Sequence, residues 1–278
     1  MNVEVHLGAE TLFHIGPIPV TNSMLTMFIV MALLLLVGNA IARRAQLIPG
    51  RLQGAYESIV EFMLSIVEGT AGQRAGRRLF PLVGGLFIYI LFANYAGLFP
   101  PVGTIGFRRH EIVNGVSEKV FVPLLRGPDA DLNMTLAMAF LTFFVVQIVG
   151  IQSHGVFGRI KHMANPWWIF PLEVVQEFAR IISLSFRLFG NIFAGETLLA
   201  VMYAIGNAIK IAVIPFLFPV VFLFAELLFG FIQALVFALL TLVYIVIAVG
   251  DGHEEEHHQA EEAPATAPVT AVPAGTGD

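Results

Sequence analysis

The sequence predicts an all-α polytopic membrane protein, and three observations carry that prediction. Of 278 residues, 57% are hydrophobic and 13% charged, and the mean hydropathy of +0.80 lies far above that of a water-soluble domain. Apolar runs long enough to cross a hydrocarbon core of about 30 Å as helix recur along the chain. The basic residues are scattered at the ends of those runs.

The first run, residues 24–42, reads MLTMFIVMALLLLVGNAIA and is followed directly by Arg43, Arg44 and Arg51. Ahead of it the chain carries no Lys or Arg in its first twenty residues, so the start lacks the charged region of a signal peptide and is read as part of the mature protein. After it, Tyr56, Ile59, Val60, Met63, Ile66 and Val67 share one helical face, while Glu57, Glu61, Ser65 and Glu68 share the other. That pattern fits an amphipathic helix lying in the membrane interface.

Residues 79–99 and 132–152 form the next two spans, separated by a polar segment with Arg108, Arg109, Glu118 and Lys119. With the N-terminus outside, the segment between the first two spans is cytoplasmic and holds Arg43, Arg44, Arg51, Arg74, Arg77 and Arg78. This agrees with the positive-inside rule, although four basic residues between positions 100 and 131 moderate the bias. The last two runs, 167 to about 203 and 211–249, are each nearly twice as long as a perpendicular span needs. Each is either a helical hairpin or one strongly tilted helix. As a single helix the second would be nearly 60 Å long at about 1.5 Å per residue, implying a tilt beyond the usual range of about 0 to 40°.

After Gly250 the composition changes to DGHEEEHHQAEEAPATAPVTAVPAGTGD, which divides a membrane domain, 1–250, from a disordered acidic tail, 251–278. The tail accounts for the net charge of −5, so the body is not an acidic binder. The absence of cysteine removes disulfides and thiolate metal sites, and no aromatic-basic motif points to nucleic acid. His253, Glu254 and His257 match the H-E-x-x-H zinc spacing, but they sit in a low-complexity stretch with no apolar face and no evident third ligand. No metal site is expected there, and His110, His154 and His162 read as loop histidines.

The chemistry lies within the apolar runs. Glu173, Glu177, Arg180, Leu184, Arg187 and Asn191 recur at spacings of 4, 3, 4, 3 and 4, which places them on one helical face continuing to Gly195. Arg187 sits among Leu184, Phe186, Leu188, Phe189 and Ile192, where an arginine costs about 2.5 to 3.5 kcal/mol at mid-bilayer depth. Something must offset that cost. In the next run Glu226, Gln233 and Tyr244 return to one face, and a carboxylate in FLFAELLFGF must be neutral or paired. Groups of this kind about two turns apart suit a wet route for ions or protons better than helix packing. Asn94, with Asp131, Asn133 and Thr135, could extend the route or serve as caps and helix contacts.

The stretch FRLFGNIFAGE, preceded by PLEVVQEFARIISLS, resembles the signature of subunit a of the rotary F-type ATP synthase, the membrane stator that faces the ring of c subunits. The likeness extends to TNSML, LFANYAGLFP, DADLNMTLAMA and FIQALVFALLTLVYI, covering essentially the whole chain to Gly250. The resemblance implies about five membrane segments, the last two long, steeply tilted helices that curve along the c-ring, and a cytoplasmic tail. It implies that Arg187 is the family's essential arginine and Asn191 its neighbouring asparagine, that Glu196, Glu226 and Gln233 line the proton path, and that Glu173 lies near its cytoplasmic end. Where some members carry histidine at the position of Glu226, and an acid at that of Gly97, this chain departs.

The resemblance further implies a non-catalytic, proton-translocating subunit without cofactor, while the acidic tail and the absence of a targeting leader favour a bacterial plasma membrane. Its partners would be the c-ring, the peripheral-stalk subunit b, the ATPase head and the lipid bilayer, with H⁺, or else Na⁺, as the ion carried. Two other readings are a solute transporter or channel standing alone and an intramembrane hydrolase. The chain offers no matched broken helices, no second set of charges to neutralise Arg187, and no credible nucleophile.

Overall fold

Backbone amides cannot stay unpaired in hydrocarbon, so apolar runs of this length have helix as their only unassisted solution. A computed structural model describes residues 9–46, 48–99, 102–113, 116–163, 168, 170–208 and 214–261. It contains six long helices among those residues: α1 Asn22–Arg43, α2 Arg51–Ala71, α3 Gln73–Gly97, α4 Leu132–Met163, α5 Phe170–Ala208 and α6 Ile214–Glu261. All but α2 are long and apolar enough to cross a membrane.

Two antiparallel hairpins accompany them, β1 Thr11–Ile15 with β2 Ile18–Thr21, and β3 Gly106–Val113 with β4 Val116–Pro123. Gly16, at φ +62°, makes the first turn, a conformation that costs other residues about 1–2 kcal/mol. Thr21 then caps α1 by accepting from the Met24 N–H at 3.2 Å. The fully buried Asn22 accepts from the amides of Ser23 and Glu10, and its Nδ2 donates to the Pro123 carbonyl. One amide side chain thereby ties the N-terminal hairpin to the end of β4. Farther along α1, Leu33, Leu35 and Leu36 remain exposed, leaving an apolar face for lipid or a neighbouring subunit.

Helix α2 turns back into α3 at Gly72, whose φ of +76° again favours glycine. The two helices approach so closely that a Cβ on Gly76 would fall 2.9 Å from the Cα of Glu68 and 3.1 Å from the Val67 carbonyl. A 2.7 Å pair between Arg77 and Glu68 closes the exposed end. Met63 and Val67 are the buried residues of α2, with Ile59 packed beside them, as the amphipathic pattern requires.

The core forms where α3, α4, α5 and α6 meet. Val83, Phe87 and Ile90 of α3 pack with Ala234, Phe237, Ala238 and Leu242 of α6, and with Ile181, Leu184 and Leu188 of α5. Ala234 and Ala238, one turn apart, present small side chains that permit the close packing on which helices in lipid depend. Phe87 meets Phe231 edge to face at 5.8 Å, a geometry favoured by ring quadrupoles.

Each of the two long C-terminal runs is one helix and not a hairpin. Their membrane-competent parts, Phe170–Met202 with 33 residues and Pro219–Val249 with 31, are about 46 to 50 Å long at 1.5 Å per residue. To stay within a core of about 30 Å they must tilt by about 50°, which makes them steep against the usual range. Helix α4 shows the opposite behaviour: Gly155, at φ +72° and ψ 165°, leaves helical geometry close to the end of its apolar run. Helix α6 continues to Glu261 without a backbone break at Gly250, while residues 262–278 lie outside the described ones.

The Gly76 contact predicts an asymmetric response to substitution. Gly76→Val should lower the unfolding midpoint of the purified complex, with a cost of about 1–3 kcal/mol typical of overpacking, because backbone atoms receive the new side chain. Gly85→Ala, with no atom within 4 Å of its Cβ, should not. Equal midpoints for the two variants would contradict the close hairpin.

Candidate functional site

The polar residues within the bundle fall into a cluster on the Glu196 side of α5, here termed outer, a cation, Arg187, and a cluster on the Glu177 side, termed inner. At 1.5 Å per residue, Arg187 lies about 14 Å along α5 from Glu196 and about 15 Å from Glu177, so it stands midway.

The outer cluster assembles where α3 crosses α6. Asn94 is buried; its Nδ2 donates to the Gly230 carbonyl at 3.0 Å, while the neighbouring Tyr95 hydroxyl donates to the Leu227 carbonyl at 3.2 Å. Gly230 permits this approach, since a Cβ there would stand 3.3 Å from that of Asn94. Glu226, Gly230 and Gln233 follow spacings of 4 and 3 and share one face of α6, so Asn94 sits opposite the midpoint between an acid and an amide. Glu226 and Gln233 are both 7% exposed. Both Glu226 oxygens, Nε2 of Gln233 and Oδ1 of Asn94 are buried without a protein hydrogen-bond partner, a concentration that native interiors do not keep without a reason.

Glycine also shapes the contact between α5 and α6. The Glu226 carboxyl packs against Gly195 so closely that any side chain there would collide with it. Glu196, the next residue, comes within Coulombic reach of Glu226. Glu196 lines a cleft of about 490 Å³ together with Glu10, Asn22, Thr104, Arg126 and Thr197. Arg126 Nη2 stands 3.8 Å from Glu196 Oε2.

Arg187 occupies different surroundings. Its side chain is exposed, and its polar neighbour is Ser183 Oγ at 3.5 Å, at the limit of a hydrogen bond. No carboxylate among the described residues pairs with it. One turn on, Asn191 Nδ2 reaches the Phe229 carbonyl at 3.4 Å, joining α5 to α6 beside the arginine.

The inner cluster is built from α4, α5 and α6. Arg180 Nη1 bonds Glu177 Oε1 at 2.9 Å and its guanidinium lies 4.8 Å from the centroid of the Tyr244 ring. Thr142 lines the same small cavity. Tyr244, which shares a helical face with Glu226 and Gln233 in the sequence, stands about 16 Å beyond Gln233 along α6 and belongs to this cluster. Glu173 is half-buried one turn before Glu177.

The six-residue stripe along α5 therefore does not keep a single environment. Glu177 and Leu184 turn into the bundle, whereas Arg187 faces outward, because three residues advance a helix by about 300° and fall some 60° short of a full turn. Of the weaker candidates, Asp131 caps α4 by accepting from the Asn133 N–H at 3.0 Å, and Thr135 shares a 3.0 Å hydrogen bond with Ser185 of α5.

Two groups stand out that the sequence does not announce. Arg126 reads there as one more loop cation. Asp129, within DADLNMT, lies in a short 3₁₀ turn, Pro128–Ala130, fully buried and with neither oxygen partnered. Burial pushes its carboxyl up to about 8 from 3.8, since the charged form loses solvation.

A bundle of membrane helices with an outward-facing arginine between two buried polar clusters defines a polytopic membrane protein of the ion-translocating class. The chain belongs to the ATP synthase A chain family, whose family model matches residues 24–246. Proteins named ATP synthase subunit a resemble it throughout. The one from Moorella thermoacetica is 35% identical over 241 residues, covering 86% of this chain and 96% of its own length. That from Desulforamulus reducens is 31% identical over 260 residues, 92% and 90% of the two chains, and that from Helicobacter acinonychis 32% over 228, 80% and 87%.

The buried Asp129 makes stability depend on pH with a defined sign. Its folded-state value lies above the unfolded 3.8, so the native state holds a proton that the unfolded chain releases. That contribution is complete below about pH 4 and is lost as pH rises through about 8. Asp129→Asn should therefore weaken the decline of the unfolding midpoint of the complex across that interval. An unchanged decline would mean that Asp129 is ionised and paired.

Proposed function

We propose that this chain is the stator subunit of the Fo proton channel in a rotary ATP synthase, coupling proton flow to rotation of a c-ring and thereby to ATP synthesis or hydrolysis. The observation that carries the reading is Arg187: an exposed guanidinium on the outer face of α5, without a paired carboxylate among the described residues and flanked on either side along the helix by polar clusters.

A carboxyl group on a rotor facing lipid must be neutral, because an isolated anion there is too costly. Beside Arg187 the ionised form is stabilised, and the proton leaves. Protons arrive through one half-channel and depart through another, offset around the rotor, so each rotor site travels nearly a full turn between them. Each proton contributes about 2.3 kcal/mol per 100 mV of membrane potential, and the arginine blocks the direct leak. Lysine serves that purpose poorly, since its pKa falls readily on burial and it can relay protons itself.

Glu196, Glu226, Gln233 and Asn94 form the outer half-channel. The buried, unpartnered polar atoms of Glu226, Gln233 and Asn94 suit groups that exchange protons with water. Glu177 and Glu173, with Tyr244 and Arg180 beside them, form the inner exit. Asn191 holds α6 against α5 at the arginine. The N-terminus lies outside and the C-terminus in the cytoplasm of a bacterium, with the arginines of 43–78 on the cytoplasmic side. The c-ring supplies the missing carboxylates. Subunit b and the ATPase head complete the assembly, and the nucleotide chemistry belongs to the head.

Arg187→Lys should abolish ATP-driven acidification of inverted vesicles although the complex assembles; normal acidification would defeat the reading. The chain has no cysteine, so single cysteines at 196, 226 and 233 can be probed directly. They should react with small hydrophilic thiol reagents from the outer face, and uniform protection would contradict an aqueous path there.

A further inference from the structure

Glu196 faces a cleft whose walls carry several other oxygens, from Glu10, Asn22, Thr104 and Thr197. A carboxylate among oxygens is the donor set that hard metal cations seek. The structure places a guanidinium in that position. Arg126 is 12% exposed, and its Nη2 lies 3.8 Å from Glu196 Oε2. We propose that Arg126 determines the ion specificity of this cleft, filling the coordination sphere that Glu196 would otherwise offer to Na⁺, so that the cleft delivers protons and rejects alkali cations. The inference rests on the proposed proton-channel function and adds to it a residue and a discrimination.

The backbone that carries Arg126 is held in place from three directions. The Arg126 N–H donates to Thr26 Oγ1 of α1 at 3.2 Å. The preceding residues pair through Leu124 N to the Ile105 carbonyl at 2.9 Å and Gly103 N to the Leu125 carbonyl at 3.0 Å. Gly127 is pressed between α3 and α5, since a Cβ there would stand 3.2 Å from Gly97 Cα and 3.3 Å from Glu196 Oε1. Arginine also keeps its charge at every working pH.

Charge alone does not separate the two ions, because Arg126 repels a proton and Na⁺ equally. Coordination separates them. A proton needs one lone pair and can bind Glu196 Oε1 while Arg126 stays on Oε2. Sodium needs several oxygens at once, and Glu196 can offer both of its own only if the guanidinium is displaced. Arg126 acts through Glu196 and is a positioning residue, so its loss must show as a change in ion preference beyond any loss of rate.

The test is passive proton conduction through the complex, stripped of its head and reconstituted in liposomes, with NaCl exchanged for choline chloride on the outer face. Total salt is fixed at about 0.1 M, so that screening is constant. Wild type should conduct equally in both salts, and Arg126→Lys, which keeps the charge, should do the same. Arg126→Gln should be slowed several-fold by Na⁺, and adding Glu196→Gln to it should remove that sensitivity. Thr26→Val, which leaves both side chains in place but releases the Arg126 backbone, should show partial sodium inhibition. Sodium inhibition of wild type, or indifference to sodium in both Arg126→Gln and Thr26→Val, would overturn the proposal. A wild-type complex that conducts no protons would instead overturn the function on which it rests.

Discussion

Arg187 carries a permanent charge that no carboxylate among the described residues neutralises. Placing arginine at bilayer depth costs about 2.5 to 3.5 kcal/mol even on the lenient insertion scale, and among the described residues neither an ion pair nor a set of strong hydrogen bonds offsets it. The contrast with Arg180, seven residues earlier on the same helix, is informative. Arg180 has an acid at 2.9 Å and an aromatic face at 4.8 Å. The bundle can satisfy an arginine and does so at one position, while the other faces outward and requires a neighbour.

In the proposed function that charge needs two separate approaches, and the rest of the architecture suits them. A helix perpendicular to the membrane would carry Glu177, Arg187 and Glu196 in a column through the bilayer. A helix tilted by about 50° spreads them sideways as well, which offsets the inner cluster from the outer one. Glycines then set the contacts along α6: Gly195 admits the carboxyl of Glu226, and Gly230 admits Asn94. The outer hairpins and the 3₁₀ turn anchor this scaffold, through Asn22 on one side and the loop carrying Arg126 on the other.

Helices were the most legible part of the sequence, because hydrocarbon leaves an apolar run of 20 residues little alternative. The choice between hairpin and tilted helix was not legible from periodicity, since both place the same residues on the same faces. The β3–β4 hairpin had a signal, Asn114-Gly115 between two runs of alternating character, but a reading built on 20-residue windows passes over it. Within the candidate site, spacing singled out Arg187, Asn191, Glu226 and Gln233. It could not show that Glu177 turns inward while Arg187 turns out, because a repeat of 4 and 3 drifts slowly around a long helix. Tyr244 shows the same limit, sharing a face with Glu226 yet packing at the far end with Arg180. Asp129 and Arg126 depend on tertiary burial, for which no local pattern exists.

The central claim is that the counter-charge of Arg187 comes from a moving partner. A cryo-EM map of the intact complex tests it most directly, by the distance from this guanidinium to the surrounding carboxylates. The account predicts that the nearest acid belongs to a c subunit and comes within about 4 Å, the range of an ion pair, as the ring passes. An acid of this chain at that distance, or a guanidinium turned away from the ring, would contradict it.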